Sequence, residues 1–154
     1  MYSVAVEQME LFEEDIKTEP EEPDYSDSKV KWEIHRLKGF LRFSPDENGV
    51  YTARCAPEYY ILPALAWHFT RRFGQTPWAI IDEKRSISLY CQNGGPARLI
   101  PLPLLLAGKE PEDSWEELWR LHHRALNNEA RKNPHLQQHF MPKRYHKYLP
   151  ELNP

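Results

Sequence analysis

The chain has 154 residues, 40% hydrophobic and 12% aromatic, enough for one domain with a real core and too few for two large ones. No apolar run approaches the roughly 20 residues that span a bilayer, and the longest, Leu99 to Ala107, holds two prolines, so no membrane partner is expected. The net charge of −3 conceals a division: residues 1–28 carry ten acids against Lys17 alone, a net −9, while residues 29–154 carry 19 basic and 13 acidic groups, a net +6.

Residues 1–28 have too little apolar content and too much like charge to fold alone, and read as an acidic, disordered tail ahead of a single domain over 29–154. Within the tail, Met9, Leu11, Phe12 and Ile16 form one apolar cluster able to dock on this body or on a partner. The first residues lack the basic start of a signal peptide, so a cytoplasmic location is the expectation. From Val30 the pattern becomes structural: Val30, Ile34 and Leu37 are spaced for a short helix that Gly39 would stop. Phe40 to Ser44 and Val50 to Cys55 then read as strands around Asp46-Glu47-Asn48-Gly49. A strict two-residue turn there would spoil the alternation that buries Leu41, Phe43, Tyr51, Ala53 and Cys55 together, so a longer turn or a bulge is expected.

The clearest helix follows. Pro63 suits its first turn and Gly74 its end, and Leu62, Leu65, Ala66, Phe69 and Phe73 make one apolar stripe. His68, Arg71 and Arg72 fall at i, i+3 and i+4 on another face, forming a basic ridge. Pro77 to Asp82 and Ser86 to Cys91 read as strands about a Glu83-Lys84-Arg85 turn, with a break at Gly94-Gly95-Pro96 and a third strand near Ala97 to Ile100. After a proline-rich connector, Ser114 and Glu117 make a capping-box pair, and Trp115, Leu118, Trp119, His122 and Leu126 share a helical face. Asn133-Pro134 opens a shorter helix through His135 to Phe140. The order of elements predicts an α+β domain, a mainly antiparallel sheet covered by helices.

The basic end carries most of the chemistry. Residues 120–149 hold seven cations against Glu129 alone, and five of the seven histidines. Lys143, Arg144 and Lys147 interleave with Tyr145 and Tyr148, the composition of a surface that neutralises phosphates and stacks on bases. The same residues would also serve to pack the tyrosines on the core and leave the cations in solvent. His135 and His139 share a face, with His146 or His122 as third partners, but Leu136 stands where a zinc hydrolase helix carries Glu, so no metal is assigned. For acid–base chemistry the candidates are His68 with Asp82 to orient it, beside Arg71 and Arg72 for phosphate, or a histidine of the C-terminal cluster, and no motif fixes a catalytic residue. No Walker loop, dinucleotide fingerprint or nucleophile elbow appears, so no cofactor is assigned and enzymatic activity stays open. Cys55 and Cys91, with no CxxC pairing, read as buried free thiols rather than a disulfide.

Three stretches carry a family resemblance: Gly39 to Arg85, Trp115 to Leu126, and Asn133 to Glu151, above all HFTRRF with PWAIID and the terminal MPKRYHKYLPE. They resemble a bacterial family of probable DNA-metabolism proteins, encoded beside a radical SAM protein and related to a module fused ahead of uracil-DNA glycosylase domains. The resemblance covers about Val30 to Glu151. Family members carry a longer N-terminal portion, of which Leu11-Phe12 and the acidic run resemble a remnant, so it implies a shortened chain; they also place Trp where His146 stands. It implies a DNA-metabolism context; set beside the basic ridge and the basic, aromatic C-terminal segment, the expectation is an accessory module in DNA repair or modification that holds single-stranded or distorted DNA, with Arg71, Arg72, Lys143, Arg144 and Lys147 on phosphates and Tyr145 and Tyr148 stacking or flooring the surface. The alternatives are an adaptor for a radical SAM or glycosylase partner, and a small histidine-dependent enzyme acting on nucleic acid.

Overall fold

The computed structural model describes residues 21, 23–101 and 114–152. Helix α1 (Ser28–Phe40) is capped by Asp27, whose carboxylate accepts the Lys29 N–H at 2.9 Å. It buries Val30, Glu33 and Leu37, and Leu41 follows them into the core one turn on. Because this stripe runs past Gly39, the helix does too, and the strand expected from Phe40 shrinks to β1 (Ser44–Pro45). Phe43 leaves the sheet and packs its ring between Phe69 and Phe73, at 5.0 and 4.8 Å.

β1 pairs antiparallel with β2 (Tyr51–Cys55), Pro45 opposite Tyr51, so the turn spans residues 46–50. The turn is the longer one that alternation demands. Asp46 holds it, accepting the Asn48 and Val50 N–H groups at 2.8 and 2.9 Å, while Gly49 supplies the positive φ of 76°. α2 (Leu62–Phe73) has Pro63 in its first turn and Gly74 beyond its end at φ 58°. It carries the chain from β2 to β3 (Trp78–Asp82), and a helical crossover of this kind makes those two strands parallel. β4 (Ile87–Cys91) and β5 (Arg98–Pro101) then add in antiparallel order.

The five strands lie in sequence order, with three of four pairings antiparallel, giving the α+β fold that the element pattern implied. β3, at the centre, is buried at all five positions and so on both faces. One core gathers Leu62, Leu65 and Phe69 of α2, Val30 and Leu37 of α1, and Ala53, Cys55, Trp78, Ile80, Leu89 and Cys91 of the sheet. Both cysteines are buried and free, each donating its thiol to a carbonyl, Cys55 to Ile81 and Cys91 to Gly95.

α3 (Ser114–Leu126) docks through Trp119, which lies under the Arg42 guanidinium at 4.6 Å, and Arg120, which donates to the Pro150 carbonyl at 3.2 Å. Of the expected apolar face Trp119 is the side chain that packs: Leu118, His122 and Leu126 are exposed, and the Trp115 side chain lies outside the described residues. α4 (Pro134–Phe140) starts at Asn133, whose side chain accepts the Leu136 N–H. Two 3-10 turns, Lys143–Tyr148 and Pro150–Leu152, complete the described fold. The expected tail over residues 1–28 falls mostly outside the described residues, but Tyr25 already packs against the core. No helix among the described residues is long and apolar enough to cross a membrane.

Candidate nucleic-acid interface

The terminal basic segment folds back onto the body. Tyr145 is 2% exposed, its ring tilted against Phe40 at 5.4 Å, and its hydroxyl donates to Glu33 Oε1 at 3.0 Å. Glu33, itself 1% exposed, also accepts the Glu58 and Tyr59 N–H groups, each at 2.9 Å. Arg144 closes the cluster: one guanidinium nitrogen meets Glu58 at 2.6 Å, and the other donates to the Tyr145 hydroxyl at 3.0 Å and lies 3.4 Å from Glu33. One turn later Glu83 accepts the Tyr148 hydroxyl at 2.7 Å and Lys147 at 3.2 Å, with Arg54 at 3.5 Å on its other oxygen.

These partners set the titration of the segment. Burial, reinforced by the Glu33 charge, pushes the Tyr145 phenol up to about 12, and burial with the hydrogen bond to Glu83 does the same for Tyr148. Burial alone would raise Glu83, but the bonds from Tyr148 and Lys147 outweigh it and hold the carboxyl below its usual range. The predicted contacts thus divide. Arg71, Arg72 and Lys143 are exposed and free of ion pairs among the described residues, whereas Arg144 and Lys147 are engaged with carboxylates and Tyr145 has no ring face open to a base. What the segment accomplishes is closure of the C-terminus over α1 and the β2 end of the sheet.

Cations set beside exposed indoles lie instead on the two N-terminal helices. α1 buries its one acid, Glu33, and leaves Lys29, Lys31, Arg36 and Lys38 with no ion-pair partner among the described residues. Trp32 stands 55% exposed among them, edge-on to His35 at 5.8 Å. On α2, Trp67 is 69% exposed beneath the Arg71 guanidinium at 4.9 Å. His68 joins the two helices: burial and the nearby Lys38 and Arg72 charges hold it below its usual pKa. The cation-bearing faces of α1 and α2 therefore meet at His68 and form one band, with Trp32 on α1 and Trp67 on α2.

At its Trp32 end the band opens into a cavity of about 540 Å³. Lys29, Trp32 and Arg36 come from α1, Glu58 and Tyr59 from the loop before α2, and Phe140 with His139 from α4. Arg144 also lines it, fixed there by Glu58. Indole, phenol and phenyl rings thus share one cavity with three cations and one carboxylate.

The catalytic pairing is not assembled. Asp82 is fully buried and accepts the Lys84 and Arg85 N–H groups and the Arg85 guanidinium, stabilising the turn after β3; no hydrogen bond joins it to His68. Among the described residues no group of three or more metal-ligating side chains converges, and His146 bonds the Met141 carbonyl. Glu33, Trp32, Lys29 and Arg36 went unnoticed in the sequence, although a signal existed. Glu33 is the one charged residue on the apolar stripe of α1, and a helix whose single acid is buried must show a basic outer face.

A family model described as a domain of unknown function (DUF4130) matches residues 11–151, and the chain belongs to that family. No curated protein and no solved structure matches it.

Proposed function

We propose that this DUF4130 domain is a nucleic-acid-binding accessory module whose contact surface is the α1–α2 band rather than the C-terminal segment. The observation that carries the reading is two large indoles, Trp32 and Trp67, exposed among six cations that form no ion pair with a carboxylate among the described residues. A merely solvated face keeps charges but has no use for exposed indoles, whereas a single strand needs both, cations for phosphates and flat rings for bases. The resemblance to bacterial DNA-metabolism proteins selects DNA, single-stranded or distorted, and a role in its repair or modification. Lys143 is exposed and makes no ion pair among the described residues, whereas Arg144 and Lys147 reach phosphates only by giving up Glu58 and Glu83.

The test is a fluorescence-anisotropy titration with single-stranded and duplex oligonucleotides over a salt series. Replacing Arg71 and Arg72 by Ala lowers the slope of log K against log salt by about 0.7 unit per lost contact on a single strand. Trp67→Ala weakens binding by about 1–3 kcal/mol, roughly 5- to 150-fold. Unchanged affinity and slope in both variants would remove the proposed surface.

A second reading, an adaptor for a radical SAM or glycosylase partner, draws on α3, where Leu118, Leu121 and Leu126 are 60, 52 and 71% exposed. Leu118→Ser with Leu121→Ser separates the two, because an adaptor loses its partner while oligonucleotide binding stays as it was.

A further inference from the structure

The cavity beside α1 combines two chemistries that few ligands require together. A free anion needs no ring, and an apolar ligand needs no cation, yet Trp32, Tyr59 and Phe140 meet Lys29, Arg36 and Arg144 in the same 540 Å³. That volume lies within the roughly 300–1,000 Å³ of small-ligand sites and suits one nucleotide, not a stacked run of them. Glu58, held by Arg144 at 2.6 Å, adds an acceptor of the kind that pairs with an exocyclic amino group, as acidic side chains do with cytosine.

We infer that this cavity receives a single unstacked nucleotide of the bound strand, its base against the rings and its 5′ phosphate against Lys29 and Arg36. The inference rests on the nucleic-acid reading and deepens it: the band tracks the backbone, and the cavity takes one base out of the stack. Taking a base out costs unstacking energy, which is least where the strand is already single or damaged, so the pocket selects such sites.

The experiment follows the indole N–H resonances of the full chain, which has five tryptophans, assigning two of them with Trp32→Phe and Trp67→Phe. The probes are 5′-dCMP, deoxycytidine, inorganic phosphate and a short single-stranded oligonucleotide. The expected result is that 5′-dCMP shifts Trp32 and not Trp67, and binds at least about tenfold tighter than either of its halves. Phe140→Ala and Arg36→Gln, both at solvent-accessible positions, each weaken 5′-dCMP by about fivefold or more. Trp67→Ala weakens the oligonucleotide and leaves 5′-dCMP unchanged. Phosphate binding as tightly as 5′-dCMP, or no effect of Phe140→Ala and Arg36→Gln on it, overturns the pocket. If the oligonucleotide binds while 5′-dCMP leaves Trp32 unmoved, the pocket falls and the nucleic-acid reading stands; if neither binds, both fall.

Discussion

Replacing Glu33 by Gln tests the cluster that seats the C-terminal segment. The side chain is 1% exposed and accepts three hydrogen bonds, from the Glu58 and Tyr59 N–H groups and the Tyr145 hydroxyl. Gln keeps the shape but turns one acceptor into a donor, so at least one buried N–H faces another N–H and loses its partner, at about 1–3 kcal/mol. The lost charge weakens the remaining bonds as well. Arg144 adds little, since its side chain is 42% exposed and retains Glu58, which limits that contribution to under about 1 kcal/mol. The expected loss is about 3 kcal/mol, a large part of the roughly 5–15 kcal/mol that holds a domain folded, and lowers Tm by about 6–12 °C. Urea unfolding followed by circular dichroism measures it, with Glu58→Gln, an exposed control, costing under about 1 kcal/mol. In a double-mutant cycle Glu33→Gln and Tyr145→Phe couple by about 0.5–3 kcal/mol. A Glu33→Gln loss below about 1 kcal/mol, or additivity of the pair, would refute the buried acceptor as the anchor.

At alkaline pH the same cluster becomes a liability. Unfolded tyrosine ionises near 10, whereas Tyr145 and Tyr148 hold their protons to about 12, so their stabilisation is complete below pH 10 and is lost as pH rises toward 12. For buried Tyr145 the full loss is about 2–3 kcal/mol, of which about half falls between pH 9 and 11, and urea midpoints at those two pH values in parent and Tyr145→Phe read that part as a smaller drop in the variant. Gly39 sits inside α1 without positive φ, and a methyl group on its Cα would meet no atom within 4 Å, so Gly39→Ala raises stability by about 0.5–1 kcal/mol in the same unfolding assay. Cys55 and Cys91 are buried, and burial pushes the Cys55 thiol well above its usual pKa; both react with a thiol reagent at least about tenfold more slowly in the native protein than in denaturant.

Much of the fold was legible locally. The stripe from Leu62 to Phe73 with Pro63 and Gly74 at its ends specified α2, and the short apolar runs Trp78 to Asp82 and Ile87 to Cys91 specified β3 and β4, because side-chain periodicity and turn chemistry act between near neighbours. The same logic failed at Phe40, where the tertiary core drew in Leu41 and carried the helix past a glycine. The fate of the basic end was beyond local pattern altogether. Tyr145, Arg144 and Tyr148 find carboxylates at Glu33, Glu58 and Glu83, which lie 112, 86 and 65 residues away along the chain. A lysine–arginine–tyrosine run has one composition whether it faces a phosphate or closes a core, so only the fold, by bringing distant acids beneath it, could decide between them. It equally decided which cations stay open, by burying the single acid of α1 and leaving the rest of that helix to solvent.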